Sequence, residues 1–367
     1  MSSSISKRRL RILPSLASFI CWCGSLGALV FCSLGISAFV APDFWFTDNM
    51  SFFLRQFLAG GVAGCAAGAL GLMLPHRLVW LYRSVFGLAL TALVILTIAT
   101  VTRTLENTTA VQAPGPDGHV VKIASINVER MFLGDKRLTS FLERESPDII
   151  VFQEVMWWLQ ERRWERLELP VGSKGENGFP QYLAVGSSEG LVVYSRFPIL
   201  ETRSKIVPGD LHEDASVIHQ ADRELLEATL DTGARPLNLI SVHPDSPRNE
   251  IRWQNKRRYF EEADRTIRGL QDENNGPLLV IGDWNSAPWS ARFQRTLSEN
   301  ELRTAYPGGW PRTTRFFFDY RLYWILGSPV DQFAVSEDVK VLNVSTGPDI
   351  GSDHLPLIVE IELPAKN

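Results

Sequence analysis

The sequence predicts an α/β domain built as a four-layer sandwich, two packed mixed sheets flanked by helices, preceded by a three-helix transmembrane anchor. Three observations carry this expectation. Charge is divided unevenly: residues 1–103 hold eight Lys/Arg and two acids, which leaves 29 basic and 39 acidic side chains for residues 104–367. Three long apolar runs without internal charge lie in the first 103 residues. From residue 121 onward, short β-branched runs alternate with only a few helical stretches, which suits two packed sheets better than one doubly wound sheet. The overall composition, 45% hydrophobic and 21% charged, excludes a disordered, collagen-like or disulfide-framework chain.

The first run lies between Arg11 and Asp43 and contains no charge over 31 residues. The second follows Arg55 and ends before His76, and the third fills the 19 residues between Arg83 and Arg103. About 20 apolar residues cover a hydrocarbon core as a helix, so spans are expected at about 13–41, 56–75 and 84–102. A signal peptide explains the first run at most, and Ala38–Ala41 is a poor cleavage site. Four cations precede the first span, none lies in the first loop, and Arg77 and Arg83 lie in the second. That bias places the N-terminus and second loop in the cytoplasm and everything after Arg103 on the far side of the membrane. Gly60, Gly64 and Gly68 in the second span suit close helix packing, either within the bundle or in a homo-oligomer. All four cysteines fall in the spans, so the rest of the chain has neither disulfides nor a Cys metal cluster.

Residues 104–120, with Pro114, Gly115, Pro116 and Gly118, read as a linker to a domain over 121–367. Strands are expected at Val121–Asn127, Ile149–Gln153, Tyr182–Val185, Leu191–Tyr194, Leu225–Leu230, Leu237–Val242, Leu278–Ile281, Val330–Val335, Lys340–Val344 and Leu357–Ile361. Helices are expected at Arg137–Glu143, Met156–Leu167, Asn249–Leu270 and Ala291–Glu299.

Five strand ends carry residues that an apolar core would not choose. They are Asn127 and Glu129 after the first strand, Glu154 after the second, His243, then Asp283 and Asn285, and finally Asp353 and His354 before the last strand. Singly, each has an ordinary use in turns and caps. Together they form a chemistry. Glu154 with Asn127, Glu129 and Asp353 is an oxygen-rich set that favours Mg²⁺ or Mn²⁺ over zinc. Asp283 and Asn285 on a tight turn can face one water, and His354 with Asp331 as partner makes a polarised imidazole. A hard metal, a carboxylate base and imidazoles suit attack of water on phosphorus.

The ordered set Ser125–Val128, Asp148–Glu154, Gly190–Pro198, Val242–Pro244, Gly282–Asn285, Val330–Gln332 and Gly351–Pro356 resembles the endonuclease/exonuclease/phosphatase superfamily, DNase I-like in fold. The three leading spans, Asn285–Ser290 and Gly347–Ile350 resemble more particularly its membrane-anchored YafD-like bacterial branch. The resemblance implies Glu154 as principal metal ligand, with Asn127 and Asp353 completing the metal shell and Glu129 at a position acidic in some members. It implies Asp283 as the group that orients and deprotonates the water and Asn285 as its holder. His243 then binds a phosphate oxygen, and His354, held by Asp331, stabilises transition-state charge. Gln332 stands where many relatives have His.

The expected partners are a phosphate-ester substrate (a phospholipid headgroup, a soluble phosphoester or nucleic acid) and a lipid bilayer through residues 1–103. The acidic balance beyond residue 103 argues against non-specific DNA binding. Within 249–270, Arg252, Lys256, Arg257, Arg258, Arg265 and Arg268 outnumber the acids, although Glu261, Glu262 and Asp264 offer pairing along a solvated face. A segment at 312–324, rich in Arg and aromatic residues, has three readings: contact with lipid headgroups, stacking on bases, or packing as a helix under a sheet edge.

Overall fold

A computed structural model describes residues 2–74, 78–116, 118–168, 181–188, 190–210, 221–274 and 276–365, without the side chains of 2–15 and 274. The chain forms two compact units, Met1–Leu105 with Trp289–Ala291, and Glu106–Pro288 with Arg292–Asn367.

The first unit contains α1 (Ser2–Val40), the short α2 (Trp45–Met50), one 3₁₀ turn (Ser51–Phe53), α3 (Leu54–Gly71) and α4 (Val79–Leu105). Leu16–Val40, Trp45–Gly71 and Val79–Leu105, of 25, 27 and 27 residues, are long and apolar enough to cross a membrane. The second begins earlier than expected, because Trp45–Met50 extends the run ahead of Leu54. The large apolar side chains Phe19, Ile20, Val62 and Ile98 face outward, while Ala28, Gly61, Cys65 and Ala89 fill the interior. Small residues inside let helix backbones approach. A Cβ on Gly64 would lie 2.5 Å from the Gly24 carbonyl oxygen of α1, and one on Gly68 would lie 2.5 Å from Ser25 Oγ. Gly64 and Gly68 therefore serve packing within the bundle. The cations Lys7, Arg8, Arg9, Arg11 and Arg77, which set the expected orientation, lie outside the described side chains.

In the second unit the chain is bonded almost at once. Asn107 O accepts from Thr304 N at 2.9 Å and Gln112 N donates to Val341 O at 2.9 Å, within the stretch expected to be a linker. The elements that follow are β1 (His119–Asn127), α5 (Lys136–Glu145), β2 (Ile149–Gln153), α6 (Trp157–Arg166), β3 (Tyr182–Val185), β4 (Val192–Ser195), β5 (Ile199–Val207), β6 (Arg223–Leu230), β7 (Leu237–Val242) and α7 (Glu250–Asn274). Then come β8 (Leu278–Asp283), α8 (Ala291–Glu299), β9 (Arg315–Phe316), β10 (Gly327–Ser328), β11 (Asp331–Val335), β12 (Lys340–Thr346) and β13 (Leu357–Leu363).

Six strands form one sheet in the order β12-β13-β1-β2-β4-β3, and five form the other in the order β11-β8-β7-β6-β5. Alternate side chains of each strand point to opposite faces. Val121, Ile123 and Val151 of the first sheet therefore meet Leu226, Leu239, Leu279 and Ile281 of the second. On the outer face of the first sheet, Ala124, Ile126, Ile150 and Phe152 pack against Leu138, Phe141 and Trp164 of α5 and α6. On the other outer face, Leu225, Ile240 and Val280 pack against Tyr259, Phe260 and Phe293 of α7 and α8. The result is the expected helix–sheet–sheet–helix sandwich. The central strands are buried on both faces, which is why they read as continuous apolar runs.

Two features differ from expectation. β5 reads as polar in sequence because it is an edge strand, and Glu201, Arg203 and Lys205 stand exposed along it. Charge on an edge strand discourages pairing with other chains. The aromatic segment around 312–324 is neither a helix nor tucked under a sheet edge. It is a small hairpin whose arms are β9 and β10, paired Gly327 with Phe316 and Ser328 with Arg315.

Candidate active site

Parallel pairing of β1 with β2 sets Asn127 beside Gln153, so Glu154 leaves the sheet next to Asn127. Glu154 (φ 58°) and Glu129 (φ 44°) both lie in the left-handed region, a conformation that turns each chain sharply away from its strand. In the second sheet, antiparallel pairing sets Asp331 of β11 directly opposite Asp283 of β8. β7 runs parallel to β8 and delivers His243 immediately beyond Val242. Gly282 has φ +152°, and a Cβ there would collide with the Val242 carbonyl oxygen, so close approach of these strands requires glycine. Asn285 (φ 43°) completes an Asx turn: its N–H donates to Asp283 Oδ1 at 2.8 Å and its Nδ2 to Pro244 O at 3.0 Å.

The loop before β13 closes the site. Ser352 Oγ donates to Asn127 O at 2.8 Å and accepts from His354 N at 3.0 Å. Asp353 N donates to Glu129 Oε2 at 3.1 Å. Asn127, Glu129, Glu154, His243, Asp283, Asn285, Asp331, Asp353 and His354, separated by up to 227 positions, thus form one connected cluster.

Its centre is an amide between two carboxylates. Asn127 Nδ2 donates to Glu154 Oε1 at 3.1 Å and to Asp283 Oδ2 at 3.1 Å. His243 Nε2 faces the same two oxygens at 3.4 and 3.7 Å. His354 Nε2 lies 3.7 Å from Asp283 Oδ2 and 3.6 Å from Asp353 Oδ1, and its Nδ1 is bonded to Asp331 Oδ2 at 2.9 Å. That last bond orients the imidazole and leaves Nε2 aimed at the centre.

The electrostatics of the two central acids diverge. Partial burial alone would raise the Glu154 carboxyl, but the hydrogen bond and charge of His243, with Asn127 and His354, hold it well below the ordinary carboxylate range. Asp283 is pushed up, first by burial and then by the Asp331 charge, against the lowering influence of His354, His243 and Arg315. Burial would lower His354, yet Asp331 and Asp283 outweigh it and raise the imidazole to about 9.

Sequence reasoning did not single out Arg315 as part of the site. Its guanidinium donates to Asp353 Oδ2 through Nε at 3.2 Å and Nη2 at 3.1 Å, and Arg315 bridges His354 through the backbone. The only sequence signal was membership of a basic aromatic stretch, because the pairing joins residues 38 positions apart. The basic helix α7, by contrast, spends its cations locally. Asp245 takes Arg252, Asp210 takes Arg258, Glu262 takes Arg265, and Arg257 lies over Trp253.

Among the described residues, Asp283, Asp331 and His354 offer ligand atoms within 4.8 Å of one another, a group able to hold a metal ion. This group differs from the metal set expected from sequence. Its atoms are already engaged with each other and with Asn127, and Asp283 is 1% exposed. Glu154 and Asp353, with side chains 31% and 27% exposed, offer oxygens that water and ions reach directly. The whole donor set is oxygen and imidazole with no thiolate, which fits a hard divalent cation.

A family model described as the endonuclease/exonuclease/phosphatase family matches residues 124–354, a stretch that contains the cluster from Asn127 to His354. No curated protein matches by sequence. Among solved structures, the chain is similar to an endonuclease/exonuclease/phosphatase from Beutenbergia cavernae at 16% identity, covering 67% of this chain and 72% of that one, with a TM-score of 0.47. It is similar to a family protein from Bacteroides thetaiotaomicron at 18% identity, covering 66% and 95%, with a TM-score of 0.47. A mannosyl-6-phosphatase from the same species is 17% identical, covering 66% and 99%, with a TM-score of 0.45. At these identities the likeness is one of fold.

Proposed function

Since the chain belongs to the endonuclease/exonuclease/phosphatase family, whose members are hydrolases of phosphoesters, we propose that it is a membrane-anchored, divalent-metal-dependent phosphoesterase. The observation that carries this reading is the Asn127 amide shared between Glu154 and Asp283, with His243 and His354 facing the same carboxylates.

Glu154, ionised and open to solvent, would be the principal anionic ligand of the divalent cation, with Asn127, Asp353 and Glu129 beside it. A divalent cation, Mg²⁺ or Mn²⁺, supplies charge to a phosphoryl oxygen when bound there. Asp283, held by the Asn285 N–H and the Asn127 amide, orients a water and takes its proton as it attacks phosphorus. Its raised affinity for protons suits a base. Asn285 holds the water or a phosphate oxygen. His243 donates to a non-bridging oxygen. His354 stays protonated into the alkaline range because of Asp331, and stabilises the charge that grows in the transition state. The attack is in line: the bond from the water oxygen to phosphorus forms as the ester P–O bond opposite it breaks, the alcohol leaves and takes a proton from solvent, and no covalent intermediate forms.

The cation bias of the leader and second loop supports a hydrolytic unit on the outer side of the membrane, taken in this proposal to be a bacterial inner membrane. The acidic balance of residues 104–367 favours a soluble or lipid phosphoester over DNA. The full chain, purified in detergent, tests this against a chromogenic phosphodiester, a phosphomonoester, plasmid DNA and phospholipid vesicles, with Mg²⁺ and with EDTA. Metal-dependent turnover of a phosphoester is expected. Plasmid nicking at physiological salt points to a membrane-tethered nuclease instead, and turnover of nothing to a silent scaffold of the same fold.

A further inference from the structure

The hairpin of β9 and β10 is rooted in the site and bare at its tip. At the root, Phe316 N donates to Asp353 O at 3.0 Å, Leu355 N donates to Thr314 O at 2.6 Å, and Arg315 holds the Asp353 carboxylate. The tip is ordered without a core of its own. Phe317 N donates to Leu326 O at 2.7 Å, Asp319 caps a 3₁₀ turn at Tyr320–Leu322, and Tyr320 stacks on Tyr323 with ring centroids 5.2 Å apart.

On this frame Phe318 is 97% exposed and Trp324 64%, and Leu322 and Leu326 are exposed as well. Phe318 also has φ 68°, a conformation disfavoured for a bulky residue, and there it presents its ring to the outside. Arg321 is paired with Asp319, so the apolar tip carries little net charge. A contiguous exposed apolar tip marks an interaction surface.

We propose that this hairpin is a lipid-surface platform, and that the ester brought to the site is the headgroup phosphoester of a membrane lipid. The inference rests on the phosphoesterase reading above for the substrate, but not for the surface contact. A bilayer is the occupant for three reasons. The chain carries three helices able to cross a membrane. One residue, Glu106, lies in the chain between the end of α4 and Asn107, whose carbonyl already accepts from Thr304 N. Phe, Tyr and Trp on one turn is the composition of a membrane–water interface, where amphipathic rings sit at headgroup level. Single-stranded nucleic acid also stacks on aromatic rings, but it needs unpaired cations along its backbone, and Arg321 is committed to Asp319.

The test uses the full chain in lipid vesicles, with the exposed Cys23 replaced by Ser. An environment-sensitive fluorophore is placed through Phe318→Cys or, as control, through Asp272→Cys at the far end of α7. Lipids bearing nitroxide on their acyl chains should quench the 318 label and spare the 272 label. In parallel, Phe318→Ser combined with Trp324→Ser should lower turnover of vesicle phospholipid about tenfold and leave a water-soluble chromogenic diester within about twofold of the parent. An unquenched 318 label overturns the platform, as does a label that responds to an oligonucleotide in place of vesicles. Equal loss on both substrates also overturns it, because the hairpin then acts on the site itself. Quenching at 318 without turnover of any phosphoester supports the contact and overturns the substrate assignment together with the phosphoesterase reading.

Discussion

The two sheets of the second unit meet the site under opposite conditions. The six-stranded sheet contributes Asn127, Glu129, Glu154 and the Asp353–His354 turn, and two of its carboxylates, on Glu154 and Asp353, remain in touch with water. The five-stranded sheet contributes His243, Asp283 and Asp331, and its acids are buried, with Asn285 and His354 bonded against them. Chemically similar side chains a few ångströms apart are thus prepared for different work. An accessible, strongly ionised carboxylate can exchange ligands. A buried one, pressed by a neighbouring charge, can take up a proton.

This division is open to test. The largest effect is expected for Asp283→Asn, which should lower turnover by about three to five orders of magnitude while leaving the Mg²⁺ requirement unchanged, as read from kcat and calorimetric metal binding. Glu154→Gln should show the converse: a rise of about 10- to 100-fold in the Mg²⁺ concentration for half-maximal activity, with much of the turnover recovered at saturating metal. Chelation by EDTA should mimic this variant and not the first. Identical phenotypes for the two substitutions would dissolve the distinction between the sheets.

Ser352→Ala breaks two hydrogen bonds that tie the six-stranded sheet's loop to Asn127 and His354. It should lower kcat about tenfold, with about 1–2 kcal/mol lost from stability in urea unfolding. The smallest effect concerns pH. In the folded chain His354 titrates at about 9 against 6.5 as a free group, so the stability it adds is full below about 6.5 and is lost as pH rises through about 9. In EDTA, the difference in urea midpoint between the parent and His354→Gln should therefore be larger at pH 6 than at pH 10. A difference that grew with pH would reverse the assignment of Asp331 as the group that holds the proton there.

Much of this was legible in the sequence, and for definite reasons. β2 and β8 are central strands buried along their whole length, so each is an apolar run whose polar end leads directly into the cluster, at Gln153–Glu154 and at Asp283. α8 begins and ends where its periodicity says, at Ala291 and Glu299. The expected pairing of His354 with Asp331 is present at 2.9 Å. β5 was illegible because this edge strand is exposed on both faces along 200–203 and carries charge in place of an alternating apolar pattern. Arg315 was illegible because its meaning comes from Asp353, brought to it only by the pairing of the β9 hairpin with the turn before β13.

The register of β8 against β11 has a further consequence. Asp331 faces Asp283 because two strands align to the residue, and side chains alternate in direction along each strand. A one-residue slip of β11 against β8 would move Asp331 away from His354 and, in the same step, turn Phe333 and Val335 out of the core between the sheets. Packing and charge placement therefore share a single alignment, and a change that shifts one shifts both.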